Sequence, residues 1–195
     1  KGITVSSSLV SDMVAELLDL VQSEHADGII LLGDIKHTVG SISRQEWDTV
    51  PLFFNQLSDN TDVYLVPGNH DSNIGQLVPM NVNMITSKGM MLDDTLLVHG
   101  HSMPSDVRGH VKRIVMGDGQ ALFLKKGSVI NGKRVWLYIQ ARKEDIFAEK
   151  GTLDIIVVPS FNPYVNATGV KLYHNFFSPI LTRVMHHGVK KCIVV

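Results

Sequence analysis

Two short segments constrain this chain of 195 residues more than any other feature: Leu31-Leu32-Gly33-Asp34-Ile35-Lys36-His37 and Val66-Pro67-Gly68-Asn69-His70-Asp71. In each, an apolar run stops at a glycine and is followed at once by groups that bind metal or move protons. A buried strand that delivers an Asp, and a second that delivers Asn-His-Asp, put both sets on one rim of a sheet. In open α/β sheets that carboxyl-end rim is where ligands bind.

A third segment has the same form. Leu96-Leu97-Val98 leads into His99-Gly100-His101, and Gly109-His110 comes shortly after. Carboxylate and amide oxygens with imidazole nitrogens suit a divalent first-row metal ion, Mn²⁺ first and Fe²⁺, Zn²⁺ or Ni²⁺ as alternatives. A Cys-rich zinc site is excluded, because Cys192 is the only cysteine. It cannot form an internal disulfide, which fits a reducing cytoplasm.

The chain is 44% hydrophobic and 19% charged, so one domain over residues 1–195 with a full core is expected. A net charge of −1 gives no global basic field for nucleic acid. No apolar run approaches the ~20 residues of a membrane span. Lys1 opens the sequence without a signal-peptide layout, so the chain reads as part of a longer polypeptide.

Val10, Met13, Val14, Leu17, Leu18 and Val21 recur at helical spacing and predict a helix over Ser8 to Glu24. Strands are predicted at Gly28 to Leu32 and Asp62 to Val66. Between them Ser43 and Glu46 form a capping box that opens a helix carrying Trp47, Phe53, Phe54 and Leu57, with Pro51 starting or kinking it. This alternation predicts a mainly parallel sheet with helices on its faces. From Met84 onward short strands are predicted at Gly89 to Leu92, Thr95 to Val98, Ala121 to Leu124, Ser128 to Ile130, Arg134 to Ile139, Leu153 to Val158 and Lys191 to Val195. Asn131-Gly132 reads as a hairpin turn. The expected class is α/β, with two mixed sheets packed face to face and flanked by helices.

The order Gly-Asp, Gly-Asn-His-Asp, His-Gly-His, Gly-His resembles the calcineurin-like metallophosphoesterases. That resemblance implies a metal-dependent phosphoesterase in which metal-bound water attacks a phosphodiester or phosphomonoester directly. It implies Asp34 as a carboxylate shared by two metals, and Asn69, His99 and His110 as further ligands of one of them. His70 would contact the phosphate or protonate the leaving group, and Asp71 or another carboxylate would orient it. His101 is read as bonding to nearby backbone.

The sequence departs from that family in two places. The opening Asp-x-His motif is absent, Lys1-Gly2-Ile3 resembling the segment just after it. Lys112 stands where Gly-His-x-His has its second His, and an ammonium has no lone pair for a metal. Both defects fall on one site, so one metal site is expected intact and the second doubtful. The alternative is a degenerate relative that binds metal or phosphate with little turnover. The form Gly33-Asp34-Ile35-Lys36-His37, with His37 where many members carry an Asp, resembles the archaeal SbcD-related phosphoesterases; so does the late run from Val158 to Pro163. The expected substrate is a phosphorylated small molecule or nucleotide, with nucleic acid less favoured and no membrane partner. His25, His174, His186 and His187 match no motif and are read as surface or packing residues.

Overall fold

The computed structural model describes residues 6–105, 110–119, 123–126, 129–132, 135–162 and 178–195. His174, Pro163, Gly109 and Lys1-Gly2-Ile3, noted above, lie outside them. The fold is α/β, with two principal sheets and flanking helices. It divides into two compact units, Lys1–Ser87 and Lys88–Val195.

In the first unit, helix α1 (Ser7–Ser23) is opened by the Ser6 hydroxyl, which accepts the Leu9 amide. Its apolar stripe buries Val10, Val14 and Leu17. Strand β1 (Gly28–Leu31) leads to helix α2 (Arg44–Ser58), then β2 (Asp62–Leu65) and β3 (Asn83–Met84). The sheet runs β1-β2-β3 and its described pairings are parallel, the arrangement that the strand–helix–strand alternation predicts. The Ser43–Glu46 capping box is present, so α2 starts ahead of Pro51 and runs through it. Phe54 and Leu57 are wholly buried, whereas Trp47 is 49% exposed and lies outside the core.

In the second unit, β4 (Met90–Leu92) forms a hairpin with β5 (Thr95–Val98), followed by β6 (Arg113–Met116), β7 (Phe123–Lys126), β8 (Val129–Gly132), β9 (Leu137–Arg142) and β10 (Thr152–Val157). Helix α3 (Pro179–His187) and β11 (Lys191–Val194) complete it. A mixed sheet of six strands runs β11-β9-β10-β6-β5-β4, with β5, β6 and β10 parallel. Alternation along β9 and β10 sends Leu137, Ile139, Ala141, Leu153, Ile155 and Val157 into one core with Ile180, Leu181 and Val184 of α3. The pair β7-β8 forms a separate hairpin in which Phe123 faces Gly132. Asn131-Gly132 is therefore inside β8 and is not the turn expected there. Strand β6 and helix α3 were not anticipated from the sequence, and missing β6 has a direct consequence for the site.

Candidate functional site

Because β1 and β2 are parallel and in register, Leu31 opposite Leu65, the loops that follow them leave the sheet side by side. Gly33 (φ 79°) and Asp34 (φ 54°) both take left-handed backbone, turning the chain sharply at the strand end. Asp is among the few side chains that tolerate this region. The exposed Asp34 carboxylate accepts the His70 backbone N–H through Oδ1 at 3.1 Å. The approach of the two loops requires Gly68: a Cβ there would collide with Asp34 Oδ1 and lie 2.6 Å from its backbone nitrogen. Asn69 is exposed at the tip of its loop.

Asp71 is buried, and both its oxygens face backbone. Oδ2 accepts the Gly68 N–H at 2.8 Å and Oδ1 accepts the Lys36 N–H at 3.0 Å. Its carboxylate thus ties one motif loop to the other. His70 is oriented by a different group. Its Nδ1 lies 3.0 Å from the His37 carbonyl. A carbonyl can only accept, so Nδ1 carries a proton and Nε2 is the nitrogen left for chemistry.

The His37 loop is itself held by two charged side chains, Lys36 and Glu46, whose hold on this loop the sequence did not reveal. Lys36, 2% exposed, donates from Nζ to the carbonyls of Thr38 (3.0 Å) and Ser41 (2.7 Å). Glu46 accepts the amides of His37 (2.9 Å) and Thr38 (2.8 Å) at Oε1 and that of Ser43 (2.7 Å) at Oε2. Burial pushes the Glu46 carboxyl up, but the Ser43, Thr38 and His37 amides with the Ser43 hydroxyl outweigh it and hold its pKa at about 2.

In the second unit, His99 follows the carboxyl end of β5 and is buried. Its carbonyl accepts the amides of Gly117 (3.0 Å) and Asp118 (2.6 Å), which follow the carboxyl end of β6. The His101 ring lies 5.3 Å from that of His99. His110 does not join them. It precedes the amino end of β6, which pairs in parallel with β5 from Thr95↔Arg113 to Val98↔Met116. The length of the strand, ~10 Å at ~3.3 Å per residue, therefore separates His110 from the His99 rim. There His110 Nδ1 meets Glu149 Oε1 at 2.7 Å and Lys143 Nζ at 3.2 Å. The assignment of His110 as a ligand beside His99 is corrected accordingly.

Lys112 sits on the same amino-end rim as His110. Its Nζ pairs with Asp94 Oδ2 at 2.9 Å and its side chain is mostly exposed. Hydrogen bonding to that ammonium, and its charge, hold the Asp94 carboxyl below the usual range. Lys112 therefore lies at the opposite end of β6 from the His99 rim. The residue that does follow a strand end there is Asp118. Its signal was in the sequence: Ile114-Val115-Met116-Gly117-Asp118 repeats the apolar-Gly-Asp form of Leu31 to Asp34. Of the unmatched histidines, His187 Nδ1 bonds the buried Asp145 at 2.8 Å, anchoring the end of α3.

Carboxylate, amide and imidazole donors at strand ends fit a divalent cation in chemical type. Among the described residues, no three His, Cys, Asp or Glu side chains gather as a metal-holding group; Asn69 lies outside those residue types. No helix among them is long and apolar enough to cross a membrane. No curated protein matches the chain. Among solved structures it is similar to the crystal structure of nuclease MPE from Pseudomonas putida, with a TM-score of 0.54 and 19% identity over 87% of this chain and 74% of that one. At that identity the likeness speaks for the fold. Residues 11–180 match the calcineurin-like phosphoesterase family, and with that span, the strand-end motifs and the α/β fold, the chain belongs to it.

Proposed function

We propose that the chain is a metal-dependent phosphoesterase acting on a phosphodiester or phosphomonoester of a small molecule or nucleotide. Asp34 and Asn69 are the proposed metal donors of the first unit and His99 that of the second, where Asp118 takes the role that the sequence motif had given to His110. A divalent ion bound by such donors supplies charge to the phosphoryl oxygens and makes water nucleophilic near neutral pH. His70 gives a proton from Nε2 to the leaving oxygen, while Nδ1 keeps its bond to His37. Asp71 serves this site by fixing the loop that carries Asn69 and His70.

The observation that supports the reading most is the joining of Asp34 and His70. The carboxylate proposed for metal and the backbone of the proposed acid share one hydrogen bond at 3.1 Å, across two loops that only Gly68 allows to meet. Mn²⁺ remains the first choice of metal, and the SbcD-related branch is favoured by the Gly33 to His37 form. A cytoplasmic setting is proposed from the single cysteine. The nuclease likeness brings phosphodiesters into the substrate class. A sequence pI of 6.8 still argues against a large nucleic-acid surface. The degenerate alternative keeps the support of the missing Asp-x-His motif, while Lys112, its other support, pairs with Asp94.

The test is Mn²⁺ titration by calorimetry, with hydrolysis of a chromogenic phosphodiester, on the wild-type chain and single variants. Asp34→Ala, His99→Ala and Asp118→Ala should each lose metal affinity and activity. His110→Ala and Lys112→Ala should retain both. Loss of metal in His110→Ala with retention in Asp118→Ala would restore the motif-based ligand set.

A further inference from the structure

Glu46 does more than a capping box requires. In that motif the carboxylate at the third helical position needs only to accept the N-cap amide. Glu46 does this with Oε2, which takes the Ser43 N–H at 2.7 Å. Its other oxygen turns away from the helix and accepts two successive loop amides, His37 at 2.9 Å and Thr38 at 2.8 Å. On the other flank the Lys36 amide is held by Asp71, and the Thr38 and Ser41 carbonyls are held by the Lys36 ammonium. The His37 peptide thus has its N–H fixed on Glu46 and its carbonyl 3.0 Å from Nδ1 of His70.

We propose that Glu46 is a positioning residue for His70, holding the His37 peptide so that its carbonyl fixes the proton on Nδ1 and leaves Nε2 as the working nitrogen. This rests on the reading of His70 as the proton donor. In the imidazolium both nitrogens carry protons, and the Nε2 proton passes to the leaving oxygen. The product is the neutral Nδ1–H tautomer, with the bond to His37 unbroken. Proton transfer then needs no turning of the ring, and the next proton enters from water at the same nitrogen. The low Glu46 pKa, about 2, keeps the carboxylate an acceptor for all three amides at any pH where the chain would work. Both side chains that brace the loop are nearly buried, Lys36 at 2% and Glu46 at 7% exposure, so water does not readily replace them.

The experiment is ¹⁵N NMR of the histidine rings in the full chain, metal-free, in alkaline buffer. Wild type should show His70 as the Nδ1–H tautomer. Glu46→Met fills the space but removes both acceptors, and should move His70 towards the Nε2–H form that free imidazoles favour. Glu46→Gln keeps one oxygen for the two loop amides and should retain the wild-type tautomer. Ser43→Ala weakens the helix cap without touching the loop bonds and should also retain it. In activity assays Glu46→Met should lower kcat by at least ~10-fold with KM unchanged, within the ~10²–10⁴-fold that a general acid supplies.

An unchanged His70 in Glu46→Met, or an equal change in Ser43→Ala, would overturn the proposal. If Glu46→Met does not fold, the wild-type spectrum decides: an Nε2–H tautomer there overturns it outright. The ring spectrum needs neither metal nor substrate. The expected tautomers without any phosphoesterase activity would therefore count against the functional reading and leave the positioning role standing.

Discussion

Asp71→Asn separates two roles for a carboxylate that stands next to the proposed acid. In the structure its two oxygens accept the Lys36 amide at 3.0 Å and the Gly68 amide at 2.8 Å. Asparagine keeps the shape but has one acceptor; its NH₂ must face one of those N–H groups. The oxygen should stay with Lys36, whose bond is the more buried, leaving the Gly68 amide opposite a donor. An unsatisfied buried amide costs ~1–3 kcal/mol, and the retained bond also loses its charge assistance. Partial access of water to Gly68 argues for the lower part of the range, about 2 kcal/mol in all. For a chain of this size each kcal/mol lowers Tm by ~2–4 °C, so a fall of ~4–8 °C is expected. The urea m-value should not change, since the surface exposed on unfolding is the same. Metal affinity should fall too, because the loosened loop carries Asn69. A variant as stable as wild type but deficient in turnover would refute the loop-tie argument. It would return Asp71 to the role of orienting His70.

Gly68→Ala places a methyl group against Asp34 Oδ1 and backbone nitrogen, whereas Gly75→Ala meets nothing within 4 Å. Overpacking of this kind costs ~1–3 kcal/mol, so calorimetric Tm and metal binding should fall in the first variant only; equal stability of the two would contradict the close approach. Glu46 gives a pH signature. Its folded pKa, about 2, lies below the ordinary 4.5, so its contribution is complete above ~4.5 and is lost as pH falls towards 2. Allowing for solvent screening, that contribution is on the order of 2 kcal/mol. Urea melts across that range should show it, and Glu46→Gln should flatten the dependence; a variant with the wild-type slope would show that other carboxylates carry it.

What sequence reading recovered were features whose signal is local. Helix α1 announces itself by the spacing of Val10, Val14 and Leu17, and the start of α2 by Ser43 and Glu46. Strands β1 and β2 are apolar runs ended by glycine. Elements with weaker local signals were lost. Strand β6 is four residues long and begins with Arg113, so its apolar content is only Ile114-Val115-Met116. Helix α3 opens with Pro179 and carries its buried Ile180, Leu181 and Val184 within nine residues. Asn131-Gly132 has the composition of a turn, but the pairing of Leu124 with Asn131 keeps it in a strand. Local composition gave a preference there, and the partner strand decided.

The error at His110 has the same origin and a sharper lesson. A Gly-His pair is common, and it gains meaning only from the end of the strand on which it lies. With β6 unseen, Gly109-His110 looked like the next motif in order, and Lys112 looked like a lost ligand. With β6 in place, both residues fall at its beginning, where their partners are Glu149, Lys143 and Asp94. The strand-end position passes to Asp118, beside the His99 carbonyl. The direction of a strand thus sorts otherwise similar motifs onto opposite rims of the sheet. Asp71 teaches the complementary point within the Gly68-Asn69-His70-Asp71 motif. Adjacency to His70 in the sequence suggests a partner for its ring, but successive residues in a tight turn point different ways. The carboxylate reaches the amides of Lys36 and Gly68, and the ring reaches the His37 carbonyl. The motif names the residues that build the loop, while the folded turn decides which of them face a ligand and which hold the others in place.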